Sequence, residues 1–352
     1  MRKRILIVSA PIGAGHDGAA HELADRLRSH RVEHIDFLDL LPGRIGKRLC
    51  DAYHHQLEWA PRSWDWLLGA LGSPALTALT VRASALACRG LLAVTGEDTD
   101  LIISTYPIAS HATAHLRARG QLTAPFAVYL TDPSVHRLCV SPTADLHIAP
   151  NETAAAQARR FGARWVEIAG PLVGSAFRPV ASVAEQIQAR RSLGLPEHQR
   201  LALVVSGSWG VGDVERITHD VAHSGAAQPV VACGRNSALL HRLRHAGHPN
   251  VFGWIDDMPR LIRACDVVVQ NAGGLTTSEA LACGLPVVTY RCLPGHGRSN
   301  ARVLAQEGLV PWIRCPEDLP AALATTPAPR HTAHRDPTFL LAELLGTTNL
   351  AA

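Results

Sequence analysis

Short apolar stretches alternate with segments of helical periodicity along most of the chain. Stretches rich in β-branched residues predict strands, and the longer segments between them, roughly 10–20 residues each, predict helices. This alternation indicates βαβ units, and therefore an α/β fold with enough strands for two parallel sheets. The predicted strands are Ile5–Ser9, Val32–Phe37, Asp100–Ser104, Phe126–Leu130, Asp145–Ala149, Leu201–Ser206, Pro229–Cys233, Val251–Gly253, Asp266–Gln270 and Pro286–Thr289.

The length of 352 residues is sufficient for two domains. Turn residues without a clear period cluster at Pro171–Ala181, and we predict the domain break there. Near the end of the chain, Phe339–Leu345 has the pattern of a short helix. The predicted organisation is a Rossmann-like domain over 1–171, a linker over 172–182, a second Rossmann-like domain over 183–335, and a C-terminal helix and tail over 336–352.

One segment, from about residue 49 to 94, has little strand pattern and much helical pattern. It contains Trp59, Trp64 and Trp66. One interpretation is an inserted helical pair packed on the first sheet. The other is a surface that binds the acceptor or contacts a membrane, because Trp is suited to boundaries between apolar and wet surroundings. The polar face of the segment is not strongly basic, which weakens the membrane interpretation.

The composition of the chain excludes several classes of protein. The hydrophobic fraction of 47% excludes a disordered chain, and no run reaches the roughly 18 apolar residues that a transmembrane helix needs. The basic start is followed by an apolar run too short for a signal peptide, so we expect a cytoplasmic protein. The 34 basic and 30 acidic residues form no basic tract, so nucleic acid is not an expected partner. The eight cysteines form no C-x-x-C pair and are interpreted as reduced core thiols.

A Gly-rich stretch follows the first predicted strand. Gly13, Gly15 and Gly18 match the G-x-G-x-x-G spacing of dinucleotide sites, although Pro11 in the turn and the bulky His16 disfavour that interpretation. A helix N-terminus disfavours the protonated form of histidine, so His16 is a candidate general base. The alternative is a histidine that only caps the loop.

Two further stretches follow predicted strands of the second domain, where parallel α/β proteins bind ligands. The amides and the Ser208 hydroxyl of Ser206–Asp213 are candidate phosphate ligands, unless the stretch is an ordinary βα turn. At Gly273–Glu279, two glycines precede a helix, and Glu279 could accept hydrogen bonds from both ribose hydroxyls. The alternative there is a capping box from Thr276 to Glu279, which needs no ligand but leaves the two glycines unexplained.

The last candidate stretch is Pro294–Asn300. His296, Arg298 and Asn300 are hydrogen-bond donors for a sugar or a phosphate, on what the sequence predicts to be a loop. The alternative is a polar surface loop without a ligand.

Two histidine pairs, His111/His115 and His219/His223, have the i,i+4 spacing of some zinc sites. Neither pair has an H-E-x-x-H motif or a third ligand nearby in the sequence, so no metal site is predicted.

At these motifs the chain resembles the GT-B glycosyltransferases of the monogalactosyldiacylglycerol synthase and processive diacylglycerol glucosyltransferase type. It more distantly resembles the bacterial transferase that adds N-acetylglucosamine to lipid I. The resemblance covers nearly the whole chain, and its most specific motif lies at Gly273–Leu281. The other matching stretches are Gly13–His16, Thr131-Asp132 with His136, Pro150–Glu152, Gly170–Val173 and Gly253–Met258.

The resemblance implies two Rossmann-like domains with parallel sheets that face a central cleft, the first for the acceptor and the second for the nucleotide sugar. It implies inverting, metal-independent transfer of a hexose from a UDP-sugar to a hydroxyl, with no cofactor. A lipid acceptor such as diacylglycerol is favoured, with peripheral contact on the inner face of the membrane. A soluble specialised metabolite is the alternative acceptor.

The resemblance also implies residue roles. His16 would be the catalytic base, and Asp132 would orient it or serve as the base itself. Gly13, Gly15 and His136 would contact the acceptor. The implied donor-binding residues are Ser208, Gly273, Gly274, Leu275 and Thr276 at the diphosphate, Glu279 at the ribose, Trp254 and the Ile255 backbone at the uracil, and His296 and Asn300 at the sugar.

Two other classes remain open from the residues alone. The literal G-x-G-x-x-G spacing supports an NAD(P)-dependent oxidoreductase. A nucleotide-sugar-binding subunit without catalysis is disfavoured by the presence of His16 and Asp132.

Overall fold

The structure is a computed structural model that describes residues 2–11, 14–59, 73–271, 273–325 and 335–348. The chain divides into two compact units. The first unit comprises Met1–Leu172 with Thr332–Ala352, and the second comprises Val173–His331. Each unit contains one six-stranded sheet in which the neighbouring strands are parallel.

The strands of the first unit are β1 (Arg4–Ser9), β2 (Arg31–Asp36), β3 (Leu101–Ser104), β4 (Phe126–Tyr129), β5 (Leu146–Ala149) and β6 (Val166–Ile168). Its helices are α1 (Ala14–Arg26), α2 (Ile45–Trp59), α3 (Pro74–Ala83), α4 (Cys88–Val94), α5 (Pro107–Ala118), α6 (Glu152–Arg160) and α14 (Pro337–Thr348). Short 3₁₀ turns lie at Phe37–Leu40, Ser84–Ala87 and Arg137–Cys139. The strand order is β2-β1-β3-β4-β5-β6.

Helices cover both faces of this sheet. Leu6 and Val8 of β1 belong to the core shared with α4, α5 and α6, whereas Ile5 and Ile7 belong to the core shared with α1 and α14. All four side chains are fully buried. Burial on both faces is the reason that the strand has a continuous apolar sequence instead of an alternating one.

The strands of the second unit are β7 (Leu201–Val205), β8 (Gln228–Ala232), β9 (Val251–Phe252), β10 (Val267–Gln270), β11 (Val287–Tyr290) and β12 (Trp312–Ile313). Its helices are α7 (Val183–Ser192), α8 (Val214–His223), α9 (Ser237–His245), α10 (Met258–Ala264), α11 (Leu275–Ala282), α12 (His296–Gln306) and α13 (Leu319–Thr325). A short 3₁₀ turn lies at Pro316–Asp318. The strand order is β12-β11-β10-β7-β8-β9, so β7 and β10 are central neighbours.

All the predicted strands are present, and each end differs from the prediction by at most one residue. The sequence missed β6 and β12, which are edge strands of three and two residues. Strands this short carry too few apolar positions to show a pattern. The predicted terminal helix is longer than expected and packs on the first sheet through Leu340, Leu341 and Leu344. A helical pattern alone contains no information about which sheet the helix covers.

The segment predicted as an insertion is helical where the structure describes it. Trp64 and Trp66 lie outside the described residues, and Trp59 ends α2. The helical run Ala75–Val94 is long and apolar enough, by length and composition alone, to cross a membrane, and 22% of it is buried in the protein. No such segment was predicted from the sequence, because Arg82 and Arg89 interrupt its run of apolar residues. The two arginines do not make the segment as a whole polar.

All eight cysteines are free thiols. Burial raises the pKa of Cys233 and that of Cys283 to about 11, so these thiols stay protonated and inert at neutral pH. The expectation of core thiols is wrong for Cys315, which is exposed immediately before the turn at Pro316–Asp318.

Candidate active site

His16 lies in the first turn of α1, close to the carboxyl end of β1. Its Nδ1 is 2.6 Å from the carbonyl oxygen of Thr105, which follows β3. Because a carbonyl oxygen only accepts hydrogen bonds, Nδ1 carries the proton and the neutral ring keeps its lone pair on Nε2. The Thr105 hydroxyl also donates to the His16 carbonyl oxygen at 3.0 Å. These contacts select the tautomer that a general base requires.

Asp132 follows β4 and lines the same small cavity as His16. Between them, Thr131 Oγ1 lies 3.2 Å from His16 Nδ1 and donates to Asp132 Oδ2 at 3.4 Å. Of these contacts of the His16 ring, the shortest is the one to the Thr105 carbonyl oxygen. The Asp132 carboxylate is linked to the ring through the Thr131 hydroxyl. The sequence predicts that Asp132 orients His16 or serves as the base itself, and the contacts of Thr131 are compatible with the orienting role.

The cavity that contains these groups lies at the carboxyl edge of the first sheet. The strands β1, β3 and β4 are neighbours, so the residues that follow them converge there. Its walls are largely apolar and include Val128, Leu130 and Val135. Apolar walls lower the local dielectric and strengthen the electrostatic interactions of His16 and Asp132.

The structure describes two of the three residues predicted to contact the acceptor. Gly13 lies outside the described residues. Gly15 is in α1, and a Cβ placed on it would meet no atom within 4 Å, so the space beside it is open. The Nδ1 of His136 accepts from the Leu138 amide at 3.3 Å and caps the turn at Arg137–Cys139. His136 is not among the residues that line the cavity of His16.

Three buried polar atoms at the carboxyl edge of the second sheet have no hydrogen-bond partner within the described part of the chain. They are Ser206 Oγ, Asn271 Oδ1 and Thr277 Oγ1. These residues are 4%, 1% and 2% exposed, respectively. Each unsatisfied buried polar atom costs about 1–3 kcal/mol, so three of them at one sheet edge indicate a polar ligand. Sequence reasoning missed all three as binding residues, although Ser206 and Asn271 are the polar residues that directly follow β7 and β10.

The helix α11 begins at Leu275 with Gly274 as its N-cap, and no side chain caps it. The capping-box alternative is therefore wrong, because Thr276 is inside the helix. Gly273 and Gly274 have φ of +75° and +87°, which strongly favours glycine. A Cβ on Gly273 would also lie 3.1 Å from the Cβ of Asn300. The first amides of α11, including those of Leu275 and Thr276, can therefore bind an anion.

Glu279 lies one turn further along α11. Its carboxyl group has no hydrogen bond to any other residue that the structure describes, and burial raises its pKa to about 7. A carboxyl group held out of water in this way is typical of ligand sites. Hydroxyl groups of a ligand that donate to the carboxylate would stabilise its charged form.

His296 and Asn300 lie on α12, not on a loop as predicted, because Gly295 at a φ of +65° starts the helix at His296. Asn300 is fully buried, and its Nδ2 lies 3.2 Å from His296 Nε2. An amide nitrogen only donates, so Nε2 accepts and His296 Nδ1 carries the proton. Asn300 therefore positions His296.

The predicted uracil-binding residues lie after β9. Ile255 packs on the core of the second unit, which is compatible with a contact through its backbone. Trp254 is 50% exposed, and the Arg235 guanidinium lies over its ring at 4.3 Å. The Arg235 amide donates to the Ser208 carbonyl oxygen at 2.8 Å, which joins the loop after β8 to the loop after β7. Arg235 was not identified from the sequence as a neighbour of these residues.

The histidine pairs with i,i+4 spacing have other contacts. His111 Nε2 lies 3.0 Å from the Leu138 carbonyl oxygen, and His115 Nε2 lies 2.7 Å from the Val81 carbonyl oxygen. These nitrogens must donate, so they carry protons that a metal would have to displace. The rings of His219 and His223 stack at 3.9 Å.

Known proteins resemble both units. Residues 16–170 match the family described as monogalactosyldiacylglycerol (MGDG) synthase, and residues 211–326 match glycosyl transferases group 1. The processive diacylglycerol beta-glucosyltransferase of Bacillus pumilus (strain SAFR-032) is 23% identical over 343 residues, which cover 90% of this chain and 85% of the relative. The chain is a GT-B glycosyltransferase that is similar to the diacylglycerol glycosyltransferases along nearly its whole length.

Solved structures share the fold of this glycosyltransferase. MurG of Acinetobacter baumannii has a TM-score of 0.58 at 15% identity and covers 99% of this chain and 100% of its own. Medicago truncatula UGT71G1 complexed with UDP-glucose has a TM-score of 0.57 at 12% identity, with 92% and 90% covered. The GT-B fold and the hexosyltransferase class predicted from the resemblance are confirmed. The oxidoreductase and non-catalytic interpretations are therefore wrong.

Proposed function

We propose that this glycosyltransferase moves a hexose from a UDP-sugar to a hydroxyl of a diacylglycerol-type lipid, with inversion at the anomeric carbon and without a metal ion. The observation that carries the proposal is the set of unpartnered polar atoms on Ser206, Asn271 and Thr277 beside the uncapped start of α11. A nucleoside diphosphate supplies the donors and acceptors that these groups lack. UGT71G1, which shares the fold, was crystallised with UDP-glucose.

The donor roles follow from this geometry. The amides of Leu275 and Thr276 bind diphosphate oxygens, with Ser208 and Thr277 as hydroxyl donors, and the helix N-terminus stabilises the negative charge. Glu279 accepts from the ribose hydroxyls. His296 reaches the sugar or a phosphate with its protonated Nδ1, and Asn300 holds it there.

The acceptor is activated by the first unit. Nε2 of His16 accepts the hydroxyl proton while the acceptor oxygen forms a bond to the anomeric carbon. On the opposite side of that carbon, the bond to the diphosphate oxygen breaks and UDP leaves with the electron pair. Attack opposite the leaving group inverts the configuration. Asp132, linked through Thr131, stabilises the imidazolium that forms.

A lipid acceptor is supported by the name of the Bacillus pumilus relative and by the surface of the inserted segment. Leu49, Leu76, Leu79 and Leu86 are exposed there. Exposed basic residues lie within this segment, at Arg82 and Arg89, and immediately before it, at Lys47 and Arg48. Apolar side chains beside basic ones bind anionic membrane surfaces. We therefore propose a cytoplasmic enzyme bound peripherally to the inner face of the membrane.

Product analysis tests the reaction. The enzyme is incubated with UDP-glucose or UDP-galactose and with diacylglycerol in vesicles or a panel of soluble alcohols, with and without EDTA, and products are identified by mass spectrometry and anomeric NMR. We expect β-linked glycosyl diacylglycerol in EDTA. Products only on soluble alcohols would overturn the lipid proposal, and α-linked products would overturn inversion. Loss of turnover in EDTA that magnesium or manganese restores would overturn the metal-independent mechanism.

Vesicle co-sedimentation tests the membrane contact separately. Leu79→Glu with Leu86→Glu should reduce sedimentation with anionic vesicles at least about tenfold, because each change places a charge in the apolar contact. Val183→Glu is the matched control, since Val183 is an apolar side chain of the second unit that is 71% exposed. Equal sedimentation of both variants and wild type would contradict the assigned surface.

A further inference from the structure

A second group of side chains with ligand chemistry lies beside the active-site helix. Asp17 and His21 are one turn apart on α1, and His34 is on β2, the neighbour of β1. One ligand atom from each residue lies within 4.8 Å of the others. His34 Nε2 is 3.5 Å from Asp17 Oδ1, and the rings of His21 and His34 meet edge-on with centroids 4.6 Å apart.

Hydrogen bonds connect the residues of this group. His21 Nδ1 lies 2.8 Å from the Asp17 carbonyl oxygen, so Nδ1 carries the proton and Nε2 has the lone pair. Metal-bound histidines are typically held by this kind of bond from the other ring nitrogen. The fully buried Ser9 donates to Asp17 Oδ1 at 2.5 Å, so His34 Nε2, which lies 2.6 Å from the same hydroxyl oxygen, donates to it and gives up that proton when it binds an ion.

The charges also favour a cation. Asp17 supplies a negative charge, and Asp36 at the end of β2 lies close enough to interact with it electrostatically.

We propose that Asp17, His21 and His34 form a zinc-binding site, with water as the fourth ligand. Two imidazoles and one carboxylate are a donor set that Zn²⁺ prefers, and bonds of about 2.0–2.1 Å place tetrahedral ligand atoms roughly 3.4 Å apart. The 3.5 Å between His34 and Asp17 already matches this spacing. One ligand atom of the exposed His21 lies within 4.8 Å of the other two, so a side-chain rotation would complete the set.

The proposed site is separate from the chemistry of transfer. None of its three residues lines the cavity of His16 and Asp132. Asp17 directly follows His16 in α1, so Zn²⁺ would tie the first turns of α1 to β2 and fix the helix that carries the base. The ion would therefore stabilise the first unit without taking part in the reaction.

Zinc titration tests the site. The full chain without a histidine tag is stripped with EDTA, dialysed, and titrated with Zn²⁺ against a chromophoric chelator. We expect wild type to bind one equivalent in competition, and Asp17→Asn, His21→Ala and His34→Gln each to weaken binding at least about 100-fold. The matched control is His219→Ala with His223→Ala, an exposed pair at the same spacing.

Two outcomes would overturn the proposal: equal zinc binding by wild type and the three variants, or an equal loss in the control. Co²⁺ provides a second measurement, because a tetrahedral site produces intense visible absorption that each of the three variants should lose. His21 is exposed, so His21→Ala should fold and keep the test valid if the other two variants do not. Zn²⁺ should also raise the Tm of wild type and not that of His21→Ala.

Discussion

The proton of His16 is placed by a backbone carbonyl. The Thr105 oxygen follows β3, and its position is set by sheet pairing and not by a side chain that could rotate. A base oriented in this way needs no carboxylate in direct contact with it. We therefore expect Asp132 to act through charge and through Thr131, so its removal should have a smaller effect than removal of the imidazole.

At the residue scale, we predict that His16→Ala lowers kcat at least about 100-fold and leaves UDP affinity unchanged, because only the general base is lost. Asp132→Asn should lower kcat less. Steady-state kinetics and calorimetry with UDP measure the two quantities. If His16→Ala keeps near-normal turnover and Asp132→Asn does not, the carboxylate is the base.

A second prediction at this scale concerns Glu279. Glu279→Gln should weaken UDP binding by roughly 1–3 kcal/mol through loss of charge-assisted hydrogen bonds. The pKa of Glu279 is about 7 before binding, and ribose hydroxyls favour the carboxylate, so wild-type affinity should fall as pH drops below 7. Calorimetry across this range should show a shallower pH dependence for Glu279→Gln, which also controls for titration of UDP itself. If the UDP affinities of wild type and Glu279→Gln change with pH in parallel, groups other than Glu279 cause the pH dependence.

At the scale of the element, the start of α11 depends on backbone conformation and close packing. Gly273 and Gly274 adopt positive φ, and α12 approaches Gly273 through Asn300. This arrangement replaces a side-chain cap and leaves the first amides of α11 available to an anion. The same packing places Asn300 beside His296, so one contact between helices supports two parts of the donor site.

We predict that Gly273→Ala destabilises the protein by about 2–3 kcal/mol and weakens UDP binding, because both the strained φ and the contact with Asn300 oppose a Cβ. Gly308→Ala is the matched control. Gly308 has a φ of +67° and no atom within 4 Å of an added Cβ, so its cost should be about 1 kcal/mol with unchanged UDP affinity. If denaturant unfolding shows the same loss of stability for Gly273→Ala and Gly308→Ala, α12 moves to accommodate the methyl group at position 273.

At the scale of the whole molecule, the first unit contains a buried histidine outside the site. His147 on β5 is fully buried, its Nε2 accepts from the Ser141 amide at 3.2 Å, and burial lowers its pKa to about 4. In the unfolded chain its pKa is about 6.5. Between these values the unfolded state binds more protons, so the free energy of unfolding must fall as the pH drops from about 6.5 towards 4.

We predict that this loss reaches at most about 3 kcal/mol and that His147→Gln removes most of it, because an amide oxygen can accept from Ser141 without titrating. Urea unfolding at several pH values, followed at the transition of the first unit, measures how its free energy of unfolding depends on pH. A wild-type slope that His147→Gln leaves unchanged would place the acid sensitivity elsewhere.

The sequence by itself determined ten of the twelve described strands and the positions of the Gly-rich turns, because strands buried on both faces and turns with positive φ have strong local requirements. Tertiary structure decided what those local signals leave open. Thr105 meets His16 across 89 positions of the chain because β1 and β3 pair. Asp17 and His34 meet because α1 packs beside β2, and the approach of Asn300 leaves little room for a side chain at Gly273. Such contacts depend on how elements pack, which no local pattern of residues specifies.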